Sequence, residues 1–188
     1  MARLYDCFPG LSVDGVLPTH FDWKYERDQF KNFFKVYIPG VASAFPAVKD
    51  NGGDGIDGAG GGGSGLFGER RIIWGMVQAI NNVHRFFLKD SMISPEATLS
   101  LARNITLNHK LREAMGMRGE GANSSAKHGA KVSTRLRFEA LLRQLHAAIK
   151  PYMPNKDGSP AAVRDPGIVK AIHISTFGFS RGATQARF

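Results

Sequence analysis

From Leu66 to Leu88 the apolar residues Ile72, Ile73, Met76, Val77, Ile80, Val83, Phe86 and Phe87 recur three or four positions apart. That spacing lines one face of a helix with 3.6 residues per turn and predicts a core-facing helix. Phe138, Leu141, Leu142, Leu145 and Ile149 repeat the pattern between Thr134 and Lys150, with Pro151 placed to stop the helix. A third helix is predicted from Ser94-Pro95-Glu96 to about Arg103, because Ser94 can cap and Pro95 suits the first helical position. A short helix over Arg3–Phe8 is expected to end at Pro9-Gly10.

Two stretches read as strands. Phe33–Ile38 is rich in β-formers and ends at Pro39-Gly40, and Ile168–Phe177 is an almost unbroken apolar run of the type buried on both faces of a parallel sheet. Strands separated by helical stretches predict an α/β architecture in a single domain over residues 1–188. Two loops interrupt it: residues 50–68 hold ten glycines in nineteen positions, and Gly116–Gly129 is small and polar. Neither can build a core, so both are expected to be surface insertions.

Composition narrows the picture. With 188 residues, 43% apolar, the chain suits one globular domain or part of one. No window approaches the roughly 18 consecutive apolar residues of a membrane span, and Met1–Asp6 lacks a signal-peptide pattern, so neither membrane insertion nor export by that route is expected. The single cysteine, Cys7, rules out an internal disulfide and a multi-cysteine zinc site. Residues 1–94 carry ten basic and ten acidic side chains, whereas residues 95–188 carry fifteen and six, so the whole net charge of +9 lies in the second half. Nine basic residues between Arg103 and Arg143 suit an anionic surface. Phe138 is the one aromatic ring among them, which argues against single-stranded nucleic acid as the partner, because such binders stack bases on rings.

The densest chemistry lies near the end of the sequence. Gly178-Phe179-Ser180-Arg181-Gly182 is a G-x-S-x-G pattern directly behind the apolar run. A serine on a sharp strand-to-helix turn needs glycine two positions before and two after, where a Cβ would collide. In that geometry Ser180 is the nucleophile, Gly178 and Gly182 allow the turn, and the Arg181 backbone N–H points at the developing oxyanion. The dull alternative is an ordinary glycine turn.

Other patterns carry less. Gly52-Gly53-Asp54-Gly55-Ile56-Asp57 is one copy of a calcium-binding repeat that functions only in stacks, and reads as a linker. Gly63–Gly68 fits G-x-G-x-x-G, but the nearest predicted strand ends more than twenty residues earlier, which breaks dinucleotide-binding geometry. Asp22, Glu26 and Asp28 alternate with bases and aromatics and read as a salt-bridged surface. No cofactor and no metal site is expected.

The run from His173 to Ala183, together with Tyr37-Ile38-Pro39-Gly40-Val41, the glycine-rich loop and the helix start Arg70-Arg71-Ile72, resembles the α/β-hydrolase domain of type VI secretion lipase effectors. The resemblance runs from Arg3 to Phe188. It implies an α/β-hydrolase-like parallel sheet with helices on its faces, and a phospholipase in which Ser180 attacks a glycerophospholipid ester and forms an acyl-enzyme. It further implies synthesis in a bacterial cytoplasm, delivery into target cells without a signal peptide, and a secretion-apparatus, chaperone or immunity protein as partner.

The chain also departs from that family. It contains no Asp-Gly-Thr turn, which in the family follows a first strand and helps form the oxyanion hole, and Met1 leads straight into the helix after it. Hydrolases of this fold order their triad Ser, Asp or Glu, then His, yet no acidic residue or histidine follows Ser180. All six histidines lie upstream: His20, His84, His109, His128, His146 and His173. On a strand, His173 would sit roughly 20 Å back from Ser180, out of reach. The expectation is therefore a partial hydrolase domain, lacking the first strand and the C-terminal part, and inactive as these 188 residues. The alternative is a non-catalytic basic module that binds an anionic lipid surface, nucleic acid or a partner protein.

Overall fold

The computed structural model describes residues 5, 7–12, 32–40, 43–52, 66–104, 134–155, 157–163, 169 and 171–178. Its elements are β1 (Leu11–Ser12), β2 (Phe34–Lys35), a 3-10 turn (Pro46–Val48), α1 (Leu66–Leu88), α2 (Pro95–Asn104), α3 (Thr134–Ile149) and a closing 3-10 turn (Lys150–Tyr152). Helices α1 and α3 match the apolar periodicity of the sequence, and α2 its capping signal.

Helix α1 is the axis of the described structure. Ile73, Val77 and Ile80 bury one stripe against Ile93, Ala102 of α2, and Phe138 and Leu145 of α3, with Leu141 and Ile149 packed beside them. Trp74, a third of a turn away, faces a second cluster with Phe45 and Val48, and its ring meets Phe45 edge-on at 5.0 Å. Burial extends around the helix to Arg71, Gln78, Asn81 and His84. The expected single apolar face is therefore too narrow a description: Met76 turns outward, as does Leu142 on α3, while polar side chains go inside.

Arg71, Asn81 and His84 have polar partners, as desolvated groups require. Asn81 donates to the Ile93 carbonyl (3.0 Å) and accepts from the Ile93 N–H (2.9 Å), fixing the turn between α1 and α2. Helix α2 then starts as its sequence suggests. The Ser94 hydroxyl accepts from the Ala97 N–H at 3.2 Å, the Ser94 carbonyl accepts from the Thr98 N–H at 2.9 Å, and Pro95 occupies the first position. Helix α3 ends at Ile149, and Pro151 sits inside the 3-10 turn that follows.

β1 and β2 pair in parallel, Leu11 with Phe34 and Ser12 with Lys35. Gly10 makes the approach possible. At φ 119° it lies where a Cβ would come within 2.6 Å of the Phe33 carbonyl oxygen, which accepts the Leu11 N–H at 2.9 Å. Tyr5 and Cys7 are helical, and the Phe8 N–H reaches the Tyr5 carbonyl at 3.2 Å.

Both strand expectations need correction. Of Phe33–Ile38, only Phe34–Lys35 is paired. The larger departure is Ile168–Phe177: residues 169 and 171–178 adopt no regular secondary structure and are exposed throughout, with Ile174 at 71%. An apolar run becomes a buried strand only where a neighbour offers a ladder, since unpaired N–H and C=O groups stay solvated. The only sheet among the described residues has two strands of two residues each. The segment Asp22–Asp28, the linker unit from Gly53, and the polar loop Gly116–Gly129 lie outside the described residues.

Candidate functional site

Of the residues assigned to the elbow, Gly178 is described: it is exposed and follows the irregular run. Ser180, Arg181 and Gly182 lie outside the described residues. The Phe177 ring lies 5.1 Å from that of Phe8, which places the end of the run beside the segment that enters β1.

Three histidines can be placed. His173 lies exposed in the run. His146 lies on the outer face of α3, where it lines a shallow depression with Glu139, Leu142 and Arg143. His84 is buried near the end of α1, with its Nδ1 2.9 Å from the Asp90 carbonyl and 3.1 Å from Asp90 Oδ1. Both of those partners are acceptors, so Nδ1 carries the proton. A carboxylate behind an imidazole is the pairing that orients a general base, but Asp90 is 75% exposed, and this contact ties down the turn after α1. Among the described residues no group of three or more His, Cys, Asp or Glu side chains is arranged to hold a metal ion. No described helix is long and apolar enough to cross a membrane.

The most developed polar constellation was not foreseen from the sequence. Arg71, 1% exposed, directs Nη1 to Asp50 Oδ2 (2.6 Å) and the Phe67 carbonyl (3.4 Å), Nε to the Pro39 carbonyl (2.9 Å), and Nη2 to the Gly40 (3.2 Å) and Ser43 (2.7 Å) carbonyls. All five guanidinium donors are thereby engaged, which is what makes burial of the charge tolerable. Its cationic carbon also lies 5.4 Å from the centre of the Phe45 ring. A backbone bridge between Phe45 and Asp50 closes the loop that presents the carboxylate. The sequence carries no clear signal for this site, since Arg70 and Arg71 read as ordinary charged residues near the start of a helix whose first turn already holds Glu69.

The clasp joins two stretches that are remote in sequence, Pro39-Gly40 and the Arg70-Arg71-Ile72 helix start. Tyr37 is fixed further by Tyr5, whose ring lies 5.6 Å away. Lys35 donates to the Tyr5 carbonyl at 3.3 Å. What the described arrangement does chemically is hold backbone: it offers no nucleophile. Comparison with protein-family models, with characterised proteins and with solved structures finds no match to this chain.

Proposed function

We propose that the chain is part of a serine esterase acting on glycerophospholipids, of the type VI lipase-effector kind, with Ser180 as its nucleophile. The observation that carries this reading is Gly178-Phe179-Ser180-Arg181-Gly182 directly behind the apolar run from His173 to Phe177. The Ser180 hydroxyl adds to the ester carbonyl while a base takes its proton, and the Arg181 N–H stabilises the oxyanion. The alcohol then leaves, and water hydrolyses the acyl-enzyme.

No acid or histidine follows Ser180, so the 188 residues by themselves give no measurable turnover of a short-chain nitrophenyl ester. Turnover abolished by Ser180→Ala would overturn that expectation and assign the base to an upstream histidine. Fluorophosphonate labelling of the protein expressed from its own locus tests the nucleophile itself. Label mapped to the Ser180 peptide, and lost in Ser180→Ala, is the expected result.

A second reading is favoured by the exposure of residues 171–178: a non-catalytic basic module that binds an anionic lipid surface. Helix α3 presents exposed Leu136 and Leu142 beside Arg143, the mixture of apolar and basic groups that suits a headgroup layer. Replacing Lys127, Lys131, Arg135 and Arg137 by Gln weakens binding to anionic vesicles under this reading. Unchanged binding rejects it.

A further inference from the structure

Asn51-Gly52 is the one Asn-Gly step in the sequence, and it follows directly on the carboxylate that Arg71 holds. Asn-Gly is the dipeptide most prone to deamidation, because glycine has no side chain to hinder its backbone nitrogen from reaching the asparagine Cγ. We infer that Asn51 is a deamidation site that the Arg71–Asp50 clasp keeps closed in the folded protein and exposes when the clasp opens.

The reaction needs the Gly52 nitrogen to lose its proton to a solvent base and attack Cγ of Asn51. The bond from Cγ to the side-chain nitrogen breaks, ammonia leaves, and a succinimide remains. Water then opens the ring at either carbonyl, giving aspartate or isoaspartate. No other reactant is required.

Three features of the fold oppose the first step. The Gly52 N–H donates to Asp50 Oδ1 at 2.9 Å, so the proton that must leave is held by an anion, beside which a negatively charged nitrogen is disfavoured. That carboxylate is itself fixed, since Oδ2 is bound to Arg71 and the Asp50 backbone is bridged to Phe45. Gly52 sits at φ 68° packed against the 43–44 backbone, where even an added Cβ would lie 2.5 Å from the Ala44 nitrogen, and that close packing restrains the main chain at the reacting nitrogen. Asn51 meanwhile is exposed, and water reaches its amide freely.

The modification is therefore one-way. Isoaspartate inserts a methylene into the main chain between Asp50 and Gly52, which draws the Gly52 nitrogen off Asp50 and out of its seat at Ala44. A chain carrying isoaspartate at this position does not reclose in the same form.

The test is conversion of Asn51 in the intact 188-residue chain at neutral pH, read by mass spectrometry of the tryptic peptide from Asp50 to Arg70, with isoaspartate detected by methyltransferase labelling. Conversion in native buffer is expected to be slower than in urea by about tenfold or more, since local opening limits it. Asp50→Ala, which removes the acceptor, brings the native rate close to the urea rate while helicity persists. If that variant loses its helices, a urea series on the original chain decides, with conversion expected to accelerate before the helices melt. Equal rates in native buffer and urea, no conversion in urea, an unchanged rate in a helical Asp50→Ala chain, or acceleration only in step with helix loss would each overturn the inference.

Discussion

The two buried clusters on α1 are held in different ways. On one side Ile73, Val77 and Ile80 meet Ile93, Ala102, Phe138 and Leu145 through apolar contact, with many groups each contributing a little. On the other, Phe45, Val48 and Trp74 form a smaller cluster, and two guanidinium groups add polar attachment, Arg71 to Asp50 and the Ser43 carbonyl and Arg70 to the Val48 carbonyl at 3.4 Å. The first design degrades gradually when a residue is lost. The second leans most on Arg71, whose removal strands a buried anion.

The sharpest way to break this contrast is Arg71→Ala. Removing one partner of a buried pair costs about 3–5 kcal/mol, and here four carbonyls lose a donor as well. Hydrogen exchange is expected to show loss of protection at the Phe45, Val48 and Asp50 amides while the centre of α1 stays protected. Equal loss at both places would make the two clusters one cooperative unit. Next in size is Ile73→Ala, expected to cost about 2–4 kcal/mol by the cavity it leaves, and to lower protection across α1, α2 and α3 together in the same experiment.

The smallest effect sharpens the apolar side. Ser94→Ala removes the cap of α2 and is expected to cost about 1 kcal/mol in urea unfolding. The acidity of Glu96 is also tied to this cap. The hydrogen bond to its own backbone N–H, then that to the Ser94 hydroxyl, lowers its pKa below the ordinary carboxylate value, against a small opposing effect of desolvation. A carboxyl whose pKa is depressed by folding adds stability that is present above its unfolded pKa and lost as pH falls through the folded one. Since Glu96 is fully exposed, the acid-side loss of α2 stability is slight, and comparing unfolding of Ser94→Ala with the original chain between neutral and acidic pH should show it reduced in the variant.

Helices were the legible part of this molecule. The repeat from Ile72 to Phe87, the Ser94-Pro95 start and the repeat from Phe138 to Ile149 each depend on local spacing, and local spacing is what a sequence displays. Arg71 and Asp50 are separated by a glycine-rich stretch, and periodicity alone gives a charged residue no reason to be inside. The two-residue β1 is too short to leave a pattern. Ile168–Phe177 misled for a related reason: its apolar content indicates what it can bury, but pairing depends on a neighbouring strand supplied from elsewhere. Ser180 and its glycines were legible as a motif, and their support remains in the sequence, since Ser180, Arg181 and Gly182 lie outside the described residues.

The Arg71 clasp has an evolutionary corollary. Three of its acceptors, at Pro39, Gly40 and Ser43, are main-chain carbonyls, which every amino acid possesses. Recognition of this kind is blind to side-chain identity, so Ser43 is open to drift so long as the backbone path persists. Position 71 has no such freedom, because lysine offers three donors from a single point where five in a planar fork are needed. Mutational tolerance across the contact should therefore be uneven, with the constraint concentrated on the Arg71–Asp50 pair and the variation at Ser43.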